Sequence, residues 1–91
     1  MSAEKIRFAV EIEDKNGKPL RDKMENFEVG KYLSQKVTYY GGSNELYERE
    51  ASRLMRSITA LNKNVRVTID ISYLNSQTKT WSTTKTIRNF N

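Results

Sequence analysis

Four cations, Arg49, Arg53, Arg56 and Lys63, recur through the middle of this 91-residue chain at spacings of four, three and seven. At ~100° per helical residue these spacings place all four within a sector of about 80°. Guanidinium forks fit phosphates and carboxylates bidentately. A stripe of this kind could follow a nucleic-acid backbone, each neutralised phosphate releasing counterions. The bland alternative is a solvated helix face in which Glu45–Arg49 and Glu50–Arg53 act as local ion pairs.

A second cluster closes the chain. "TKTWSTTKTIRNFN" joins Lys79, Lys85 and Arg88 with Trp81, Phe90 and five hydroxyl side chains between Thr80 and Thr86. Strand alternation puts Lys79, Trp81, Thr83, Lys85 and Ile87 on one face. If that face is open, Trp81 can stack on a base while the lysines hold phosphates. If it faces a helix, Trp81 and Ile87 are core and Lys85 extends outward along its stem. Pairing with the preceding apolar strand favours a core Trp81, leaving the Thr-rich even face with Arg88 exposed. Arg66, on that preceding strand, extends the positive surface.

The stretch "YYGGSNELYERE", residues 39–50, has the composition of a phosphate turn, since glycines before a helix leave backbone N–H groups free for an anion. Glu45 and Glu48 in the first turn oppose an anion there. The stretch reads instead as a turn capped by Ser43 or Asn44, with Gly41 and Gly42 supplying permissive torsions.

Catalytic chemistry finds little support. The chain has no histidine and no cysteine, which removes the usual general base, thiolate nucleophile and soft metal ligands. "GGSN" lacks the Gly-Lys-Ser/Thr ending of a Walker loop. Glu11 and Glu13 share a strand face and could bind a hard cation, but acids there more often form a solvated face paired with lysines. The expectation is a non-enzymatic protein with no cofactor and no metal site.

Charge is partitioned along the chain. Residues 1–45 balance eight Lys/Arg against eight Asp/Glu, so the net +5 lies wholly in residues 46–91, where Asp70 is the only acid after Glu50. Such asymmetry suits an oriented electrostatic surface.

The elements that must position these groups follow from periodicity. Residues 5–13 alternate Ile6, Phe8, Val10 and Ile12 with polar partners, a half-buried strand. "DKNGKPLRD" ends it, and a short connection would make the following strand its hairpin partner. Residues 24–40 read as a long or interrupted strand, because "VTYY" is β-branched and aromatic. A short helix capped by Asn26 is the alternative over residues 26–36, and Gly30 weakens both. Residues 44–62 predict an amphipathic helix with Leu46, Tyr47, Ala51, Leu54, Met55, Ile58 and Leu61 as its apolar stripe. Residues 65–74 and 79–90 predict two strands joined by a turn at "NSQTK".

The expected architecture is one α+β domain over residues 1–91, β-β-α-β-β, with an antiparallel sheet of about four strands and one helix across its apolar face. With no apolar run near the ~20 residues of a membrane helix and no signal-like segment, a cytoplasmic protein is the default. The functional expectation is a small basic protein binding DNA or RNA with little sequence specificity. Its contacts would be Arg49, Arg53, Arg56, Lys63, Arg66, Lys79, Trp81, Lys85 and Arg88. The alternative is a protein-interaction module or inhibitor, of the kind phage or mobile elements encode, that uses the same face against an acidic protein. A thin core at 36% hydrophobic residues leaves a homodimer open.

Overall fold

In the computed structural model, residues 4–24, 27–33, 35–39 and 44–90 are described. They form an α+β fold in the order β1 (Glu4–Asp14), β2 (Lys23–Met24), β3 (Phe27–Glu28), a 3-10 turn (Val29–Tyr32), β4 (Gln35–Tyr39), α1 (Asn44–Leu61), β5 (Val65–Asn75) and β6 (Thr80–Arg88). The main sheet is antiparallel throughout, in spatial order β4-β1-β5-β6.

β1 sits inside the sheet because both of its flanks find partners. One of them, β4, comes from the following strand region and is reached only after an intervening segment, and the other is β5. After Asp14 the chain reverses around an Asp-centred turn, in which Asp14 Oδ1 accepts the N–H groups of Asn16 and Lys18, both at 2.9 Å. Gly17 takes φ +86° there, torsions that a side chain would strain. The returning segment touches β1 only briefly, through a Glu13–Pro19 bridge and a Leu20 N–H to Ile12 C=O bond of 2.8 Å. Pro19 has no N–H to continue a ladder. The expected antiparallel partner from residues 24–40 is found in their last part, β4, which pairs with β1 from Glu4↔Tyr39 to Phe8↔Gln35, so the connection is longer than a tight hairpin.

The described residues of 24–40 form the interrupted strand of the sequence reading, not a continuous strand and not a short helix over residues 26–36. β2 and β3 form a two-residue ladder, Lys23↔Glu28 and Met24↔Phe27. The 3-10 turn follows, and β4 begins only at Gln35. Phe27 and Val29 are buried, and the Phe27 ring stacks on Tyr32 at 5.7 Å. Asn26, the alternative helix cap, and the Gly41–Gly42–Ser43 turn lie outside the described residues.

β4 and β5 both run antiparallel to β1, on its two sides, so α1 connects parallel strands across β1. The helix lies over the apolar face and closes the core. Ile6, Phe8, Val10 and Ile12 of β1 meet Val65, Val67, Ile69 and Ile71 of β5, covered by Tyr47, Ala51, Met55 and Ile58 of α1. Leu46 and Leu54 pack at the margin. Leu61, expected in the stripe, is 58% exposed: it ends the last helical turn, and the chain then turns away through Asn62, whose Oδ1 accepts the Asn64 N–H at 2.9 Å.

The β5–β6 hairpin turns where "NSQTK" predicts. Asn75 Oδ1 accepts the N–H groups of Gln77 and Thr78 at 2.9 and 3.1 Å, and Lys79 N–H bonds Asn75 C=O at 2.8 Å. Further along, the ladder slips between Ile71 and Ser72. Ile71 pairs with Lys85 but Ser72 pairs with Thr83, leaving Thr84 as the extra residue of a β-bulge. Thr84 Oγ1 donates to Ile71 C=O at 3.2 Å. An extra residue inverts the alternation of a strand, and that inversion decides where the candidate site residues point.

Candidate nucleic-acid interface

The cations singled out by the sequence do not converge on one surface. Arg49, Arg53 and Arg56 are exposed on the outer side of α1, opposite the residues that cover the sheet. Their stripe spans eight residues, ~10 Å of helix. Lys63 is exposed in the turn just beyond the helix. Within the stripe Arg53 Nη1 lies 3.7 Å from Glu50 Oε1, an exposed i,i+3 pair of the kind that contributes little stability. No acid follows Glu50 on the helix, so its C-terminal half is wholly basic.

Lys85 and Ile87 lie on the helix side of β6. Ile87 packs against the core, opposite Ile69 in the register. The Lys85 Nζ reaches Glu48 Oε1 of α1 at 3.2 Å, so part of the basic charge of β6 is spent on tying that strand to the helix. The expectation that Lys85 extends outward from an inward-facing position holds, with a helix carboxylate as its destination.

Trp81 is on the other face. Because of the bulge at Thr84, Trp81 and Thr83 share the helix-free side of the sheet with Thr86 and Arg88, and the expected core position for Trp81 is wrong. Tryptophan in the register position opposite Leu74 is half-buried, and the Arg7 guanidinium covers its ring at 4.3 Å from the centroid. Arg7 reaches it from β1, across β5. At the far end of the same face Arg66 covers Phe90 at 4.0 Å and approaches Glu13 Oε1 with its Nε at 3.5 Å. That separation is long for a hydrogen bond, so the contact is chiefly electrostatic.

Hydroxyls fill the middle of this face. Thr86 Oγ1 donates to Asp70 Oδ1 at 2.6 Å, and Ser72 and Thr83 hydroxyls meet at 3.2 Å. Lys79 is exposed at the tip of the hairpin with φ 62°. The nine residues thus divide between the helix exterior with its adjoining turn, the helix–β6 seam, the hairpin tip and the open sheet face.

Two residues, one on the open face and one at the end of β6, were missed by the sequence reading. Arg7 stood only as one polar member of an alternating strand, and nothing local marks it as the partner of Trp81. Asn89 closes the ladder beyond β6 with its side chain: Oδ1 accepts the Val67 N–H at 2.6 Å and Nδ2 donates to Val65 C=O at 3.2 Å.

Glu11 and Glu13 share the open face with Ala9, and a groove of about 230 Å³ runs between this stretch of β1 and Pro19–Leu20–Arg21. Among the described residues no group of three acids, histidines or cysteines is placed to hold a metal ion. No helix among them is long and apolar enough to cross a membrane.

The chain matches no protein-family model, and neither a curated protein nor a solved structure shows significant similarity to it.

Proposed function

We propose that this protein binds nucleic acid through the outer face of α1, without base specificity. The exposure of Arg49, Arg53 and Arg56 on a helix that carries no acid after Glu50 supports the reading. Guanidinium groups on a rigid helix track phosphates without reading bases. Lys63 extends the positive surface past the helix end. The C-terminal hairpin contributes less than its composition suggests, since Lys85 is held by Glu48 and Arg66 by Glu13 and Phe90.

An acidic protein surface is the second reading. The stripe is only ~10 Å long and Arg53 is already paired with Glu50, dimensions that also suit a small cluster of carboxylates.

Titration of single- and double-stranded DNA and RNA across a salt series tests the first reading. Binding should be strongest near ~50 mM salt and fall steeply above it. No binding at that salt would end the nucleic-acid reading. A partner retained from nuclease-treated lysate would favour the protein reading.

A further inference from the structure

The helix-free face of the sheet has a charge order that repeats in reverse. Along β1 the residues on this face are Lys5, Arg7, Ala9, Glu11 and Glu13: two bases, a small residue, two acids. The neighbouring strands continue the rows. Arg7 lies level with Ser72 and Thr83, Ala9 with Asp70 and Thr86, Glu11 with Thr68 and Arg88, and Glu13 with Arg66. The aromatic residues occupy opposite ends, with Trp81 level with Leu74 and Phe90 against Arg66.

A two-fold axis lying over Ala9, in the plane of the face and across the strands, maps this pattern onto its complement. Lys5 then opposes Glu13 of a second copy and Arg7 opposes Glu11. The Trp81–Leu74 corner meets the Phe90–Arg66 corner of the second copy. Each contact occurs twice, as an isologous interface requires. Two sheets stacked in this way lie ~10 Å apart, with strands within ~30° of alignment.

We propose that the open sheet face docks a second copy of this chain, face to face and antiparallel, centred on Ala9. The proposal stands independently of the nucleic-acid reading, and it leaves both α1 stripes on the outside of the dimer. Charge placement supports this face over the outer face of α1, which has no acid after Glu50. Along β1, β5 and β6 the sheet face carries Lys5, Arg7, Arg66 and Arg88 against Glu11, Glu13 and Asp70, and β4 adds Lys36 in register with Arg7. The face therefore keeps a basic excess but sets Glu11 and Glu13 where the two-fold brings them against bases of the second copy. Pairing through the β6 edge is the weaker alternative. That edge has a bulge at Thr84 and the charged Lys85 and Arg88, features that discourage strand addition. One like-charge meeting remains: Asp70 lies on the axis, with its carboxylate accepting the Thr86 hydroxyl.

Sedimentation velocity on nuclease-treated protein over a concentration series tests the proposal. The wild type should pass from monomer to dimer. The variant Lys5→Glu/Arg7→Glu and the variant Glu11→Lys/Glu13→Lys should each stay monomeric, and an equimolar mixture should sediment as a heterodimer, because every opposed pair is then of opposite sign. Circular dichroism melts check that both variants fold. Should either lose its fold, Lys5→Glu and Glu11→Lys alone change exposed positions, and each should weaken self-association about tenfold or more, since the symmetry repeats each repulsion. Asp70→Asn should tighten the dimer. A wild type that remains monomeric throughout, substituted variants that self-associate like the wild type, or an Asp70→Asn variant that dimerises more weakly would overturn the proposal.

Discussion

Replacing Asn89 with alanine removes both side-chain bonds that extend the β5–β6 ladder past Arg88. The N–H of Val67 loses its 2.6 Å acceptor and the C=O of Val65 loses a 3.2 Å donor. Val67 is fully buried and Val65 nearly so, and both bonds are part-buried, so water replaces the lost partners only in part. An orphaned buried donor costs about 1–3 kcal/mol and a lost neutral hydrogen bond about 1 kcal/mol, giving a destabilisation of about 2–4 kcal/mol. A domain of this size has a total stability on the order of 5–14 kcal/mol, and each kcal/mol lowers Tm by roughly 4–8 °C. Urea unfolding followed by circular dichroism should show the midpoint falling with an unchanged slope. Asn89→Asp, which keeps an acceptor for Val67 but loses the donor to Val65, should fall between wild type and alanine. An alanine variant within ~0.5 kcal/mol of wild type would refute the role assigned to Asn89, since surface substitutions without special contacts cost no more.

Other substitutions probe separate parts of the structure. Ile58→Ala opens a cavity at a residue with no exposure and should cost about 2–5 kcal/mol in the same assay. Lys85→Ala breaks a half-exposed pair with Glu48 and should change stability by less than about 1 kcal/mol. Lys79→Gly relieves a left-handed backbone at the hairpin tip; the gain, offset by the greater freedom of glycine in the unfolded chain, should be up to about 1 kcal/mol in thermal melts. Arg7→Ala uncovers one face of the single tryptophan, so acrylamide should quench Trp81 fluorescence more strongly in the folded variant than in wild type.

Strong periodicity made β1, α1, β5 and the turn at residues 75–79 legible in the sequence. In each, side-chain alternation or a 3.6-residue stripe coincides with burial in a single core, as at Val65, Val67, Ile69 and Ile71. Pairing of β1 with a strand in residues 24–40 was legible, but not that it would begin only at Gln35, nor that β5 would take the other flank of β1, because that pairing is a long-range contact. Residues 24–40 alternate like one strand, yet a two-residue ladder and a 3-10 turn break it before β4. The bulge had the largest consequence for the candidate site. In "STTKT" no residue signals which threonine is unpaired, and one unpaired threonine moves Trp81 to the opposite face from Lys85. The helix stripe needed only helical spacing and was readable, whereas the Arg7–Trp81 contact depends on the order of three strands.

Direct evidence for the proposed binding surface comes from the salt dependence of oligonucleotide affinity in two triple variants. Arg49→Ala/Arg53→Ala/Arg56→Ala removes the helix stripe, and Arg7→Ala/Arg66→Ala/Arg88→Ala removes the same number of charges from the open sheet face. Three phosphate contacts contribute about −2.7 to the slope of log affinity against log salt on duplex DNA. The helix variant should lose both affinity and most of that slope, while the sheet variant, if folded by circular dichroism, should keep both. Equal losses in the two folded variants, or a larger loss in the sheet variant, would contradict a nucleic-acid interface on α1.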